Sequence, residues 1–488
     1  MVQKRLEQLR AQRLEKVKKL RELGIDPYPH KFDKKQTCSQ AVKSLGDKVK
    51  TAARIISLRG HGRILFADIA DQTGKVQLWF QEESLGKEKF KLLKFFDVGD
   101  FIGVEGKVIK TKTGEVTIDV SNFVFLSKAL RPLPAKWHGL KDVEDRYRKR
   151  YLDLLMNPEV KNVFETRSKI VTEIRNFFAD KGFFEVETPT LQPLYGGASA
   201  RPFVTHHNTL NNDLFLKISD ELYLKRLIIG GFEKVYEIDH NFRNEGIDKT
   251  HNPEFTMMEC YWAYADYKDI MKLTEDLFSY VAKKVLGTTK IEFAGHKIEL
   301  KPPWQRLTMS EAVKKYLDWD VEKASDEQIA KKLNEKKIDL VGGYCRGLAI
   351  AALFEEVEPK LIQPVFITDM PKETTMLCKL NRKNSELIER FEPYIAGWEA
   401  GNAYTELNDP VLQREFFKAE LKQKKAGSKE THPMDEDFIE SLEYGMPPTG
   451  GLGVGIDRMV MLLTGQENIR DVILFPTLRS KKENHGQK

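Results

Sequence analysis

Hydrophobic positions along the chain follow two periods, and the switches between them mark its organisation. Leu6, Leu9, Leu14, Val17, Leu20 and Leu23 recur at near-helical spacing and Gly24 with Pro27 closes the segment, so residues 1–50 read as an N-terminal basic helical segment. From about Thr51 to Leu126 the texture changes to short strands: ARIISLRG, ILFADIAD, KVQLWFQ, FIGVEGKVIKT and EVTIDVSNFVFL, with glycine turns and one helical stretch near Leu85 to Phe95. Five strands with a helix between the third and fourth predict a small OB-type β-barrel over residues 51–128. Proline-rich Ala129 to His138 opens a linker taken to run over 129–150. Helical spacing returns from Val160 to Lys181, stops at Gly182 and leads into the strand FFEVETP, which Pro189 ends. DLFLKISDELYLKRLIIGG supplies a strand and then a helix bearing Glu221, and GGASARPF before it gives an exposed turn. Residues 304–390 read as a mostly helical insertion, with a strand near Pro364 to Thr368, inside a second domain spanning 151–488. The fold class expected is α+β.

The stretch VYEIDHNFRNEGIDKTHNPEFTMMECY, Val235 to Tyr261, predicts two strands joined by a polar loop. Phe255, Met257, Glu259 and Tyr261 share one face of the returning strand. An arginine, two glutamates and a tyrosine beside an aromatic ring suit a nucleotide and a charged small molecule; equally, such a face simply meets water in a half-solvated antiparallel strand.

RFEPYIAGWEAGNAYTELND, Arg390 to Asp409, sets carboxylates in an apolar run, and buried carboxylates need cations. Glu392 and Glu399 are candidate oxygen ligands for Mg2+, or plain surface carboxylates. A strand places Asn402, Tyr404 and Glu406 on one face. In TGGLGVGIDRMVMLLTG, Gly451, Gly453 and Gly455 alternate, which leaves a face without side chains where a flat base fits against the backbone. Asp457-Arg458 then opens a helix. The glycines do not form the dinucleotide fingerprint. In the barrel, Arg59, Phe66, Gln77 and Glu115 offer charge, a stacking plane and hydrogen-bonding groups suited to unstacked bases, although Phe66 as core and Arg59 as surface charge fit the pattern as well.

Composition narrows the classes. A chain of 488 residues with 41% hydrophobic residues has ample material for globular cores. Net charge is only +6, yet residues 1–22 hold eight Lys/Arg against three Glu, a local hint of nucleic acid or else a solvated helix. Cys38, Cys260, Cys345 and Cys378 form neither a zinc pattern nor a disulfide framework, so a reducing compartment is expected. No apolar run approaches a membrane span, so a cytoplasmic, membrane-free protein is the default expectation.

FRNEG with HNPEFTMMECY resembles the second signature motif of the class II aminoacyl-tRNA synthetases, GGLGVGIDR the third, and the long helix with FFEVETP the less specific first. Within that family the chain is similar to the enzymes that charge lysine. The resemblance implies an N-terminal OB-fold anticodon domain and a catalytic domain with an antiparallel β-sheet flanked by helices. It also implies ATP and L-lysine as substrates, Mg2+ as cofactor, tRNA(Lys) as partner and a homodimer sealed partly through the segment ending at Pro189. By the same resemblance, Arg243 and Arg458 are catalytic. Arg243, Glu245, His251, Asn252, Phe255 and Arg458 bind ATP, and Glu392 and Glu399 hold the metal. Lysine is bound by Gly197, Glu221, Arg243, Glu259, Tyr261, Asn402, Tyr404 and Glu406, while Arg59, Phe66, Gln77 and Glu115 read the anticodon. A lysine ammonium leaving water needs carboxylates, which the sibling aspartyl and asparaginyl enzymes would not supply.

Three positions depart from the family pattern. Leu58 stands where many relatives carry a second arginine, Tyr404 where many have phenylalanine, and Trp398 where a polar residue is common. Two alternatives differ in what they require. A paralogue that lysylates protein would resemble the catalytic domain alone, and an inactive nucleic-acid-binding regulator would not need Arg243, Arg458, Glu392 and Glu399.

Overall fold

The computed structural model describes residues 2–134, 142–340, 343–425 and 433–480, in two compact units, 1–141 and 142–488. In the first, β1 (Lys48–His61), β2 (Ile64–Asp71), β3 (Gly74–Gln81), β4 (Phe101–Lys110) and β5 (Val116–Ser127) form a closed barrel in the order β1-β2-β3-β5-β4. Short helical turns from Glu82 to Phe95 separate β3 from β4, as expected. Closure is possible because β1 is long enough to pair twice: Arg54 to His61 face β2, and Lys48 to Arg54 face β4. Ile55, Ile69, Leu78, Val104 and Ile118 alternate inward and are fully buried. Leu58 packs against this core.

The helix Val2–Glu22 buries a narrower stripe than its leucines suggested, namely Arg13, Val17 and Leu20, whereas Leu6, Leu14 and Leu23 are exposed. Part of its basic charge is structural. Arg13 donates to the carbonyls of Ala129 (2.6 Å), Arg131 and Val98, and Lys16 pairs with Asp97 at 2.7 Å.

The linker expected over 129–150 needs correction. Residues 135–141 lie outside the described residues, and Val143–Arg148 is a helix of the second unit, with Tyr147 buried and its hydroxyl donating to Asp471 at 2.9 Å.

The second unit is built on a nine-stranded sheet in the order 305–308, 365–371, 387–395, 401–405, 449–455, 254–263, 234–242, 184–185, with 398–399 paired beside 387–395. The expected hairpin is present in unbroken register from Lys234↔Trp262 to Phe242↔Glu254. The glycine strand Thr449–Gly455 lies between its returning arm and Gly401–Thr405. Alternation divides the sheet into two faces. Tyr236, Cys260, Leu452 and Ala403 pack with helices Pro158–Asp180, Tyr267–Leu286 and Ile456–Thr464, while Val235, Tyr261 and Tyr404 turn to the other side. The functional side chains stand on that second face.

Two sequence expectations change here. Only Phe184–Glu185 of FFEVETP forms a ladder; Val186 adds one hydrogen bond to Tyr236 before Pro189. The 304–390 stretch is also less separate than expected. Gln305–Thr308 and Val365–Pro371 are parallel strands of the central sheet, and its helices, Met309–Leu317, Asp326–Lys336 and Arg346–Phe354, form the crossover between them.

Candidate active site

A cavity of about 850 Å³ opens on the second face, and every candidate residue of this unit lines it: Gly197, Glu221, Arg243, Glu245, His251, Asn252, Phe255, Glu259, Tyr261, Glu392, Glu399, Asn402, Tyr404, Glu406 and Arg458. Residues of 254–263, 401–405 and 449–455 converge because the glycine strand and its two neighbours are adjacent in the sheet.

At one end the cavity is acidic. Glu221 opens the helix Glu221–Ile229, and Glu406 follows the strand Gly401–Thr405. Both carboxylates are buried, and both contact Lys225 Nζ at 2.5 Å. The Tyr404 hydroxyl donates to the second oxygen of Glu221 at 2.6 Å. Glu259 accepts from Ser219 Oγ at 2.9 Å, the Asp220 amide at 3.3 Å and the Tyr261 hydroxyl at 3.2 Å. Burial, with Asp220 and Glu221 nearby, pushes the Glu259 carboxyl up to about 8. Burial also drives Glu406 well above the usual carboxylate range: Glu221 and Glu259 reinforce the shift and Lys225 opposes it. Such an acidic, water-poor end calls for added positive charge. Gly197 sits at φ +85°, where a Cβ would come within 2.8 Å of Ser219 Oγ, so a side chain there would both strain the backbone and displace Ser219.

At the other end the cavity is cationic. Arg243 leaves the hairpin with its guanidinium 5.1 Å from the Phe255 ring centroid, and its buried Nε has no hydrogen-bond partner among the described residues. Burial disfavours its charged form, Arg458 adds repulsion, and Glu245, Glu399 and Glu259 counter them. Arg458, in the first turn of the helix Ile456–Thr464, donates to the Glu399 carbonyl at 2.7 Å and lies 3.4 Å from His251 Nε2. The neighbouring Asp457 accepts from Arg167 at 2.5 Å and from the Thr256 amide at 2.7 Å, and so ties the long helix, the hairpin and this helix together. Two arginines, one with an unanswered donor, make a receptor for an anion.

Glu392 and Glu399 also line the cavity, Glu399 beside Arg458. Glu392 pairs with Arg390 at 2.5 Å and accepts from the Tyr394 hydroxyl at 2.9 Å; burial raises its carboxyl, Arg390 opposes, and Glu399 adds repulsion. Among the described residues no group of three or more His, Cys, Asp and Glu is placed to hold a metal. Two carboxylates nevertheless suit a hard cation whose other ligands are phosphate oxygens and water.

The glycine strand performs more than the expected function. At Gly451 the space is taken: a Cβ there would overlap the Glu406 carboxylate and approach Tyr261 to 2.7 Å. A Cβ at Gly453 would also press on Met257 Cε at 3.1 Å, so the open room for a flat base lies at Gly455, beside the Arg458 side chain. Trp398 does not line the cavity but packs on Phe293 with ring centroids 4.8 Å apart, so this departure leaves the acidic end unchanged.

In the barrel, Arg59 pairs across β1 and β2 with Phe66, which faces Trp79 on β3; the two rings stack at 5.8 Å with a 7° interplanar angle. Gln77 accepts from Thr117 Oγ1 at 2.8 Å, and Glu115 lies in the turn just before β5, two residues ahead of Thr117. Phe66 is half-buried on the outer face, not in the core. Arg59 is committed to Asp68 at 3.1 Å.

Sequence reasoning missed Ser219, Lys225, Arg390, Arg167, Asp68 and Trp79. A signal existed for Lys225: Glu221, Lys225 and Ile228 fall on one helical stripe, so charges sit where an apolar face was due. Arg167 and Ser219 act through partners distant in the chain; Arg390 and Asp68 pair with near neighbours, Glu392 and Arg59, whose charges alone did not single them out.

Comparison with known proteins agrees with this division. Residues 142–479 match the family model "tRNA synthetases class II (D, K and N)", and residues 49–126 match "OB-fold nucleic acid binding domain". A lysine-tRNA ligase of Carboxydothermus hydrogenoformans is 52% identical over 99% of this chain and 100% of its own length. Those of Pelotomaculum thermopropionicum, 52% identical over 98% and 96%, and Syntrophomonas wolfei, 50% identical over 98% of each chain, are similar to the same extent.

Proposed function

On the premise that the chain belongs to the lysine-tRNA ligases of the class II synthetase family, we propose that its cavity holds lysine at the Glu221/Glu406 end and ATP along Arg243, Phe255 and Arg458. The enzyme is an ATP-dependent ligase that joins lysine to tRNA. The observation that carries the residue assignment is the polarity of one cavity: buried carboxylates at one end, and an arginine with a buried, unanswered Nε toward the other.

In the first step the lysine carboxylate attacks the α-phosphorus of ATP. A new oxygen-phosphorus bond forms and pyrophosphate leaves, giving lysyl-adenylate. Arg243 lines the cavity with both Glu259 and Arg458, a position that suits contact with the lysine carboxylate and the α-phosphate together. Its guanidinium would fix the line of attack and offset charge building on the phosphoryl oxygens. Arg458 and His251 would receive the outer phosphates. Phe255 and Arg458 would sandwich adenine, with Glu245 and the backbone near Asn252 reading its edge. Because Arg243 covers one face of Phe255, the base takes the other. Glu392 and Glu399 would hold Mg2+, which when bound supplies charge neutralisation on the triphosphate.

In the second step a hydroxyl of the terminal tRNA ribose attacks the adenylate carbonyl and AMP leaves. Glu259 and Gly197 keep the lysine backbone in place, while Asn402, Tyr261 and Tyr404 flank its stem. On the barrel, Phe66 would stack an anticodon base on the side away from Trp79, with Arg59, Gln77 and Glu115 beside it. We place the enzyme in the cytoplasm; among the described residues no helix is long and apolar enough to cross a membrane. A homodimer is supported by apolar groups left exposed on the segment around Pro189, Phe184 stacked on Phe232 and Leu191 among them.

ATP-pyrophosphate exchange measured with each of the twenty amino acids tests the assignment. Exchange with lysine that collapses in Arg243→Ala is expected. Undiminished exchange in that variant overturns Arg243 as the bridging group.

A further inference from the structure

The carboxylates proposed to receive the substrate already hold an ammonium. Lys225 is fully buried, one helical turn beyond Glu221, and its Nζ lies 2.5 Å from both Glu221 Oε1 and Glu406 Oε2. Glu221 and Glu406 line the cavity, but Lys225 does not. It stands behind them, with its ammonium 5.6 Å from the Tyr404 ring centroid.

We infer that Lys225 is a positioning and specificity residue: an internal ammonium that clamps the Glu221 and Glu406 carboxylates from behind and presents them to the cavity as a preformed pair for a primary aliphatic monocation. The inference rests on the proposed reading of those glutamates as the side-chain partners of lysine.

Three features support it. First, the clamp spans two elements that share no local sequence, the helix from Glu221 and the strand ending before Glu406, so it sets the distance between the two carboxylates. Second, with both carboxylates ionised, Lys225 neutralises one and the substrate ammonium the other. Without it, two carboxylates forced together in a buried site share a proton instead. Third, the backbone leaves Glu406 little freedom: any side chain at position 451 would overlap its carboxylate. Among the described residues the titratable groups around the pair are Glu259, Tyr261, Tyr404, Cys260 and Cys378, with Arg390 beside Tyr404 and Cys378; Lys225 is the cation that touches both carboxylates and opposes protonation of Glu406.

The test compares Lys225→Met, Lys225→Arg and Glu406→Gln in the full-length protein. Lysine and ATP KM are read by pyrophosphate exchange, and protons released on lysine binding by calorimetry in two buffers of different ionisation enthalpy. In Lys225→Met the lysine KM rises about tenfold or more and proton release grows by about one per lysine, because the ammonium must now displace a shared proton. The ATP KM stays as in the parent. Lys225→Arg, which keeps the charge, retains the parent proton count. A folded Lys225→Met with unchanged lysine KM and proton count overturns the inference while leaving the site reading intact. Should the methionine variant not fold, a folded Lys225→Arg with an altered proton count overturns it equally. If Glu406→Gln leaves lysine KM unchanged, the reading of the site itself fails instead.

Discussion

The Tyr404 hydroxyl donates a 2.6 Å hydrogen bond to Glu221 Oε2, joining a strand of the central sheet to the first residue of the helix across the acidic end of the cavity. The oxygen it satisfies is the one Lys225 leaves free. Tyr404→Phe removes one hydrogen bond to a charged group, worth about 1.5 kcal/mol, so lysine KM should rise roughly tenfold with ATP KM unchanged. Steady-state exchange kinetics check the split; an equal change in both constants would place Tyr404 in general packing.

Glu406→Gln goes further, because it removes one partner of a buried ion pair and leaves Lys225 short of a counter-charge. A loss of about 3 kcal/mol, or more than about a hundredfold in kcat/KM for lysine, is expected. ATP binding, followed by nucleotide fluorescence, should survive. Loss of both would point to a collapsed fold.

These two residues also show what the sequence made legible. Asn402, Tyr404 and Glu406 were readable as one face because strand periodicity is local, and all three line the cavity. The hairpin and glycine strand were readable for the same reason. Lys225 was legible only in part: its place on the stripe with Glu221 and Ile228 marked it as out of keeping with a solvated lysine, but its second partner, Glu406, comes from a segment far along the chain. Gln305–Thr308 escaped notice because four residues with an exposed start carry too little alternation to stand out among helices. Gly451 was read as leaving room for a flat base, but that space is taken by Glu406, which follows another strand.

Glu259 sets a pH dependence. Its carboxyl is raised from 4.5 to about 8 by burial and by Asp220 and Glu221, with Tyr261, Ser219 and Arg243 also close by. A carboxyl raised on folding binds its proton more tightly in the folded state, so the free protein loses stability as pH rises from about 4.5 to about 8. If the lysine α-ammonium pairs with ionised Glu259, that loss is offset when lysine is bound. The rise in melting temperature caused by saturating lysine should therefore grow between about pH 6 and about pH 8. Thermal melts with and without lysine check it, and Glu259→Gln should flatten the trend.

Phe66 separates the two units' duties. Base stacking on an aromatic ring contributes about 1–3 kcal/mol, so Phe66→Ala should lower kcat/KM for tRNA charging by roughly fivefold to a hundredfold. Pyrophosphate exchange, which needs no tRNA, should be unchanged. Equal loss in both assays would contradict the division.

Glu399→Gln tests the cation site. Glu399 is partly open while Glu392 is held by Arg390, so Glu399 is the carboxylate freer to bind a metal. The Mg2+ concentration needed for half-maximal exchange should rise, with lysine KM little altered. An unchanged Mg2+ requirement would remove Glu399 from the ligand set.

The most direct measurement is a crystal structure with lysine and a non-hydrolysable ATP analogue bound. The lysine side-chain ammonium should lie within about 3.2 Å of oxygens of both Glu221 and Glu406, with Lys225 still behind them. An ammonium placed more than about 6 Å from both carboxylates would contradict the assignment of this pair as the determinant of lysine recognition.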